Sequence, residues 1–297
     1  MHYDFGVNSN RRCRAIFVNH KSISKRGNKA NEDYAFSCER HIFVIDGSSG
    51  LCDKKYTNFE SDAQWFSHRL GTLLQARLHD INKTIGEVVS DIISELRVEY
   101  KSFLSDAEYE SFILPSACLS VLRINKNNIE LFQIGDCVSL ISTINDEIKV
   151  FLDDSVPKLD GAVVKNVVNI SREKKIPYSD ALVYSKEQLI HNRKKLNKSD
   201  GYWILDLSGS AIKHAYVNSF KVCDVRAAAI MSDGFAEIVE LYGLYDYKTL
   251  MEKMAGGGLY SLCEELFKAQ DEDSTMDKYP RLKLRDDSSA AWCSVPI

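Results

Sequence analysis

The ten residues HIFVIDGSSG, positions 41 to 50, contain the pattern that decides how this chain folds. A run of β-branched and aromatic residues leads to Asp46, and Gly47, two serines and Gly50 follow at once. Such a run predicts a buried strand, because these side chains pack well on a pleated surface. The carboxylate at its end has two explanations: a plain turn, or a metal ligand at the tip of a strand.

Composition and charge are those of an ordinary globular protein. The 297 residues suffice to bury a sizeable core; 44% are hydrophobic and 27% charged. The net charge of −4 gives no signal for nucleic-acid binding. No apolar run of about 18 residues predicts a membrane span, and the N-terminus lacks the apolar segment of a secretory signal. We therefore expect one domain over residues 1–297, a cytoplasmic monomer without membrane or nucleic-acid partners.

The cysteines form no C-x-x-C pair, and most lie inside apolar runs such as SACLSVL and AAWCSV. This placement favours buried free thiols in a reducing compartment over a disulfide framework or a zinc site. The eight cysteines are at positions 13, 38, 52, 118, 137, 223, 263 and 293.

Hydrophobic spacing predicts the secondary structure of the first third of the chain. Strand-like runs occupy residues 14–18, 34–38 and 41–46. Two longer segments, 60–80 and 84–104, have apolar residues at steps of three and four. That spacing predicts two amphipathic helices that bury one face against a sheet.

The remainder changes period several times. Residues 117–152 predict an antiparallel meander, with hairpin turns at Asn127-Asn128 and Asn145-Asp146. Residues 153–200 show no clear period and predict an irregular excursion, either a functional flap or a plain surface insertion. A buried strand at 225–234, three helical patterns and a last strand follow. Strands at both ends with helices between them indicate an α+β layered architecture.

Several acidic residues share one design, in which an apolar strand adjoins an Asp beside a turn-forming residue. Taken singly, each is explained as a turn residue. Together they suggest strand ends that converge on one edge of a sandwich. They are Asp46 in FVIDG, Asp136 in FQIGDC, Asp233 in AIMSDG, Asp286 with Asp287 in LRDDSS, and the pair Glu32-Asp33 before the YAFSC strand.

Converging carboxylates repel one another, so a cation is needed to keep them ionised. Oxygen ligands without a His or Cys partner favour hard divalent ions such as Mg²⁺ or Mn²⁺. Two such ions can share a bridging water, lower its pKa and direct it at a phosphorus atom. The pattern therefore predicts metal-assisted hydrolysis of a phosphoester.

These motifs also carry a resemblance. In order, NED, VIDGSSG, IGDC, MSDG and RDDSS resemble the successive motifs of the metal-dependent PP2C-type serine/threonine phosphatases, the PPM family. The resemblance extends from about residue 10 to residue 297. It implies an αββα sandwich, in which two antiparallel sheets face each other, helices cover the outside and a two-metal centre lies at one edge.

The resemblance also implies the metal ligands. Asp46 matches the Asp that bridges both Mg²⁺ or Mn²⁺ ions, and Gly47 matches the Gly whose backbone carbonyl holds one of them. Asp233 and Asp286 match the remaining carboxylates on the second ion.

Four further acids match supporting positions of the family. Glu32 and Asp33 match the acidic pair that orders waters at the metals. Asp136 matches an Asp that helps to hold a weaker third metal in many bacterial members. Glu237, four residues after Asp233, falls where another third-site carboxylate is usual.

Two departures from the family pattern concern catalysis. The phosphate-binding Arg of the family falls here on Asn28, and the nearest Arg is Arg26, which either binds phosphate or is a solvated loop residue. Ser48 stands where eukaryotic members often have a His proposed as general acid. The group that protonates the leaving oxygen is therefore open.

Residues 153–200 occupy the place of the family's variable flap. The stretch IHNRKKLNKSDGYWIL resembles a bacterial subset of the family. We expect Arg193, within this stretch, to contact an anionic substrate. The alternative is that the stretch is a solvated basic loop.

The function implied is hydrolysis of phosphoserine or phosphothreonine in proteins, with a serine/threonine kinase supplying the substrate. Two alternatives stay open: a weak or inactive relative that binds partners, and a phosphatase of small molecules. The core aspartates argue against the inactive relative, and the position of Arg26 keeps it open.

Overall fold

The computed structural model describes residues 16–27, 29–48, 54–104 and 114–296, and in these ranges the strands form two antiparallel sheets. The strands are β1 (Asn19–Lys25), β2 (Tyr34–Ser37), β3 (His41–Ser48), β4 (Ser116–Asn125), β5 (Asn128–Ile134), β6 (Val138–Thr143), β7 (Ile148–Phe151), β8 (Leu205–Asp206), β9 (Tyr216–Lys221), β10 (Val225–Met231) and β11 (Ser288–Ser294). One sheet has the order β1-β11-β10-β6-β7. The other has the order β2-β3-β4-β5-β9, with β8 paired to β4.

The described residues form eight α-helices: α1 (Asp62–Arg77), α2 (Ile85–Lys101), α3 (Ser155–Lys174), α4 (Tyr178–Ala181), α5 (Lys186–Arg193), α6 (Asp233–Glu240), α7 (Tyr247–Ala255) and α8 (Leu259–Glu272). Five of them cover the outer faces of the two sheets, and α3, α4 and α5 form a separate cluster. The apolar faces of α1 and α2 pack on the sheet that contains β3. Those of α6, α7 and α8 pack on the sheet that contains β10. The expected α+β class and the αββα sandwich are confirmed.

Strand β3 explains why the opening stretch is apolar without interruption. Phe43 and Ile45 pack toward α1 and α2, whereas Ile42 and Val44 lie in the core between the two sheets. A strand buried on both faces needs apolar residues at every position. Because successive side chains alternate, Asp46 falls on the same face as Ile42 and Val44, toward the facing sheet.

The two long helices begin where the sequence supplies caps. Ser61 precedes α1, and its side chain accepts a hydrogen bond from the backbone N–H of Gln64 at 3.0 Å. Thr84 and Glu87 form a capping box at the start of α2. Such caps satisfy backbone donors that have no partner inside the helix.

The first edge strand and one hairpin turn differ from the sequence expectations. The strand expected at 14–18 is wrong over residues 16–18; positions 14 and 15 lie outside the described residues, and β1 begins at Asn19. The turn between β4 and β5 is at Lys126-Asn127, one residue earlier than predicted, and Lys126 has a φ of 55°. The second predicted turn is confirmed, with Asp146 at a φ of 63°.

Most of residues 153–200 are helical, from Ser155 to Arg193, so the expectation of an irregular excursion is wrong for that part. Val163 and Val167 of α3, at helical spacing, pack with Tyr178 of α4 and with Met276 from the loop before β11. The valines obscured the pattern, because β-branched residues have lower helix propensity than Leu or Ala. This helical segment, α3 to α5, is therefore a packed layer at one end of the sandwich.

The six cysteines among the described residues are free thiols, and four of them are buried. Positions 13 and 52 lie outside the described residues. Within the part of the chain that the structure describes, no helix is long and apolar enough to cross a membrane.

Candidate metal centre

Asp46, near the end of β3, and Asp233, just after β10, meet at one edge of the sandwich. The backbone N–H of Asp233 donates a hydrogen bond to Asp46 Oδ2 at 3.3 Å, although the two residues are 187 positions apart. Burial and next the charge of Asp286 raise the pKa of Asp233, and the pKa of Asp46 is raised as well. The convergence predicted for Asp46 and Asp233 is thus present in the fold.

Further carboxylates crowd this meeting point. Burial, followed by the charge of Asp233 and then of Asp33, holds the pKa of Asp46 well above its ordinary value. Burial and the charges of Asp287 and Asp286 do the same for the pKa of Asp33. Like charges in a shared, partly dry site disfavour ionisation of each other. We call these mutually interacting acids the carboxylate cluster: Asp33, Asp46, Asp136, Asp160, Asp233 and Asp286.

Asp136, a member of the cluster, and Glu237 both experience the charge of Asp233, and their third-metal role stays a prediction. Burial, with a smaller contribution from the charge of Asp233, raises the pKa of Asp136 to about 7. Burial also raises the pKa of Glu237 to about 7, against the hydrogen bond that Gln270 Nε2 donates to Glu237 Oε2 at 2.9 Å. Gln270 on α8 thus orients the carboxylate that α6 presents.

Three glycines allow the backbone segments of the site to approach one another. A Cβ on Gly47 would lie 2.3 Å from the backbone oxygen of Glu32. A Cβ on Gly27 or on Gly234 would lie 1.9 or 2.2 Å from the backbone oxygen of Asp286 or Asp287, respectively. No side chain fits at such distances, so the glycines are required by close backbone contact.

Asp287 positions the loop between β1 and β2. Its carboxylate accepts hydrogen bonds from the backbone N–H of Gly27 at 2.8 Å and of Glu32 at 2.7 Å. Asp287 is buried, so these charge-assisted bonds form with little competition from water. This contact holds the acidic pair at the edge of the cluster.

The acidic pair divides its contacts between protein and site. Glu32 Oε1 accepts a hydrogen bond at 2.5 Å from Ser61 Oγ, the cap of α1. Asp33 is 2% exposed, and among the described residues its Oδ2 has no hydrogen-bond partner. A buried carboxylate oxygen without a partner is costly, which makes Asp33 Oδ2 a position that calls for a ligand.

Two charged residues of the site were missed in the sequence. Asp160 on α3 belongs to the cluster: burial, and next the charge of Asp233, raise its pKa to about 6. The other is Lys283, whose charge acts on Asp160 and whose Nζ donates to Asp286 Oδ1 and Oδ2 at 2.8 and 2.7 Å. Burial lowers the pKa of Lys283, but the charges of Asp286 and Asp233 outweigh it, so that pKa is raised. The proximity of Lys283 to Asp286 in sequence was the available signal, whereas Asp160 gave none.

Arg26 lies at the surface beside the site. Its Nη1 is 3.6 Å from Glu60 Oε2, and both side chains are more than half exposed. Position 28, where the family's Arg would fall, is outside the described residues. The phosphate-binding role of Arg26 stays a prediction.

Arg193 is placed differently from the sequence expectation. It is 6% exposed, and its guanidinium donates to Ser48 Oγ at 3.0 Å and to Ser116 Oγ at 2.7 Å. The reason is that α5 packs down onto the ends of β3 and β4, so that its basic end faces protein. We propose a supporting role for Arg193 in place of the predicted contact with substrate.

The donor set fits hard divalent cations. All the clustered ligands are carboxylates, burial and then neighbouring negative charges raise the pKa values of Asp33, Asp46 and Asp233, and Asp33 Oδ2 is buried without a hydrogen-bond partner in the described part of the chain. In the ranges that the structure describes, however, no three His, Cys, Asp or Glu residues are arranged to bind one ion together. Binding would need side-chain adjustment, first of all at Asp286, whose oxygens contact Lys283.

A cavity of about 540 Å³ lies beside the cluster. Gly135, next to Asp136, forms part of its wall, and Phe151, Trp203, His214 and Tyr216 supply aromatic rings. Its lining includes none of the clustered carboxylates, so it adjoins the site and does not contain it.

The sandwich with helices on both outer faces is the fold of PPM-type serine/threonine phosphatases. It matches the crystal structure of the catalytic domain of the serine/threonine protein phosphatase PstP in complex with two manganese ions, with a TM-score of 0.55 and 15% identity over 95% of this chain and 100% of that one. It also matches PppA, a regulatory component of T6SS in Pseudomonas aeruginosa, with a TM-score of 0.54 and 13% identity over 94% and 97% of the two chains.

A third structure, the PPM Ser-Thr phosphatase MsPP from Mycobacterium smegmatis in complex with cacodylate, matches with a TM-score of 0.50 and 11% identity over 94% and 99% of the two chains. No protein-family model matches the sequence, and no curated protein matches it in sequence. At these identities the likeness establishes the fold.

Proposed function

We propose that this protein is a metal-dependent phosphatase that hydrolyses phosphoserine and phosphothreonine in proteins. The observation that carries the proposal is the meeting of Asp46 and Asp233, from the two facing sheets, in one cluster of carboxylates with raised pKa values. The fold shared with serine/threonine phosphatases supports the reaction class. The match of 95% of this chain to the whole of a catalytic-domain chain supports a single domain over residues 1–297.

Asp46, Asp233, Asp286 and the backbone carbonyl of Gly47 would hold two Mg²⁺ or Mn²⁺ ions, and Asp136 and Glu237 would serve a third. When bound, such ions supply Lewis acidity toward a phosphoryl group and lower the pKa of water. The chain's own contribution is to gather the oxygen ligands at one edge and to hold them there through Asp287, Gly27 and Gly47.

The residues around the ligands orient water and substrate. Glu32 would accept hydrogen bonds from ordered water, and so would Asp33; in support, Ser61 holds Glu32, and Asp33 has a buried oxygen without a hydrogen-bond partner within the described ranges. Arg26, on the same loop and exposed, is the candidate for binding the phosphate of the substrate. A planar guanidinium suits that role because it can bind two phosphate oxygens together.

The substrate is proposed to be a protein that a serine/threonine kinase has phosphorylated. The buried free thiols support a reducing compartment such as the cytoplasm. Comparison of phosphoserine and phosphothreonine peptides with small phosphoesters distinguishes this substrate from the small-molecule alternative. Higher kcat/KM on small phosphoesters than on all peptides would favour that alternative.

The reaction is tested with Asp46→Asn and Asp233→Asn, assayed on p-nitrophenyl phosphate and a phosphopeptide with Mn²⁺. We expect each to lower kcat by about 100-fold or more, as when a main electrostatic group of an active site is lost. Asp91 on α2 forms an exposed ion pair with Lys83, and Asp91→Asn is the matched control that should retain the wild-type rate. Thermal melting should show all three folded.

Retention of near-wild-type turnover by either cluster variant would contradict the proposed two-metal site. Metal binding without turnover by the wild-type protein, measured by calorimetry, would instead favour the alternative of an inactive relative that binds partners.

A further inference from the structure

Lys283 places a positive charge directly on a predicted metal ligand. Its Nζ lies 2.7 Å from Asp286 Oδ2 and 2.8 Å from Oδ1, so one ammonium contacts both oxygens of the carboxylate. The charges of Asp233 and Asp46 also act on it. The ammonium is therefore a cation that belongs to the carboxylate cluster in this structure.

The loop that carries Lys283 is anchored by buried contacts. Arg281, two residues earlier, is 4% exposed and pairs with Asp273 at 2.8 Å. Its other nitrogens donate to backbone oxygens, at Leu284 of the same loop at 3.1 Å and at Gln270 of α8 at 3.2 Å. Tyr178 of the helical segment donates from its hydroxyl to the backbone oxygen of Arg281 at 3.0 Å. Because these contacts hold the backbone of the loop, Lys283 can move away from Asp286 only by rotating its side chain.

Two cations cannot use the same oxygens in the same way. A divalent ion on Asp286 needs an oxygen to which Nζ now donates, and the ammonium would repel the ion at short range. The Lys283 side chain is half exposed, so it can turn into solvent when an ion arrives. Metal binding and release of the ammonium are then one exchange.

We infer that Lys283 is a built-in counter-ion of the metal centre, which stabilises the metal-free cluster and competes with a divalent cation for Asp286. This inference rests on the proposed metal-dependent function and adds a determinant of metal affinity. It also implies that the metal-free protein stays folded, because its crowded carboxylates retain one positive charge.

Calorimetric titration with Mn²⁺ tests the inference without reference to turnover. Lys283→Met should bind Mn²⁺ about tenfold more tightly than wild type, because it lacks the ion pair that competes with the metal. The gain should be no larger, since the ion pair is half exposed. Lys283→Arg keeps the charge and the two-oxygen contact, so its affinity should match wild type within a few-fold. Lys268→Met, at the exposed pair with Glu272 on α8, is the matched control and should leave affinity unchanged.

A second readout is thermal melting in EDTA. There Lys283→Met should melt below wild type, and saturating Mn²⁺ should remove the difference. Lys283→Gln serves as a second neutral variant if Lys283→Met does not fold.

The outcomes separate this inference from the proposed function. If wild type binds Mn²⁺ and neither neutral variant binds it more tightly, Lys283 does not compete with the metal and the inference is overturned. A higher KM for phosphopeptide at unchanged Mn²⁺ affinity would also overturn it and would make Lys283 a substrate ligand. If neither the wild-type protein nor any variant binds Mn²⁺, both the inference and the metal-dependent function fail.

Discussion

At the scale of single residues, Gly47 shows how closely the site is packed. A Cβ there would lie 2.3 Å from the backbone oxygen of Glu32, which is itself held by Asp287. We expect Gly47→Ala to lower the free energy of unfolding by about 1–3 kcal/mol, the usual cost of overpacking. It should also lower Mn²⁺-dependent turnover, because the end of β3 must shift. Urea unfolding and the phosphatase assay measure both effects.

Gly161 on α3 provides the control for Gly47. It is exposed, and a Cβ there would meet nothing within 4 Å. Gly161→Ala should therefore leave stability unchanged or raise it by up to about 1 kcal/mol, because Ala favours a helix over Gly. Equal effects of the two substitutions would show that close contact with Glu32 is not what requires Gly47.

At the scale of elements, Arg193 joins α5 to the strand ends that carry the site. Replacing it with Met removes the hydrogen bonds to Ser48 and Ser116 and should cost about 1–3 kcal/mol of stability. Because β3 ends at these contacts, we expect kcat and Mn²⁺ affinity to fall while KM for a phosphopeptide stays near wild type.

Arg226→Met, at an exposed ion pair with Asp146, is the matched control and should change neither kinetic constant. Arg193→Lys should retain more activity than Arg193→Met but less than wild type, since an ammonium cannot reproduce the planar guanidinium contacts. A rise in KM alone after Arg193→Met would restore the original prediction that Arg193 contacts substrate.

At the scale of the whole molecule, the carboxylate cluster couples stability to pH and metal. Burial and like charges raise the pKa of Asp136 to about 7 and that of Asp160 to about 6, so the folded metal-free protein holds protons that the unfolded chain loses near pH 4. These groups therefore stabilise the fold at low pH, and that contribution is lost as pH rises through the folded pKa values.

Mn²⁺ must displace those protons, so its stabilising effect should grow from pH 5 to pH 8. Thermal melting in Mn²⁺ and in EDTA at each pH measures the increment. Burial lowers the pKa of His41 to about 3, so its contribution to stability rises with pH, both in Mn²⁺ and in EDTA. The readout is therefore the difference in melting temperature between Mn²⁺ and EDTA at each pH. An increment that does not change with pH would exclude proton-linked carboxylates as the metal ligands.

Much of the fold was predictable because its signals are local. The run to Asp46, the spacing in α1 and α2 and the period of the meander each reflect burial of one or two faces, which the chain shows within a dozen residues. Edge strands β1 and β9 bury less, and their polar sequences carry little of that signal. In α3, valines obscured a helix that tertiary packing on Met276 stabilises.

By itself, the sequence determined the two-sheet architecture and the strand ends at which Asp46, Asp136, Asp233 and Asp286 stand. Tertiary structure alone decided which other side chains join them. Asp160 and Lys283 enter the cluster through helix and loop packing, and Arg193 turns inward because α5 packs onto β3 and β4. The physical reason is range: hydrophobic period is written over neighbouring residues, whereas charges from distant segments meet only when the sheets close together.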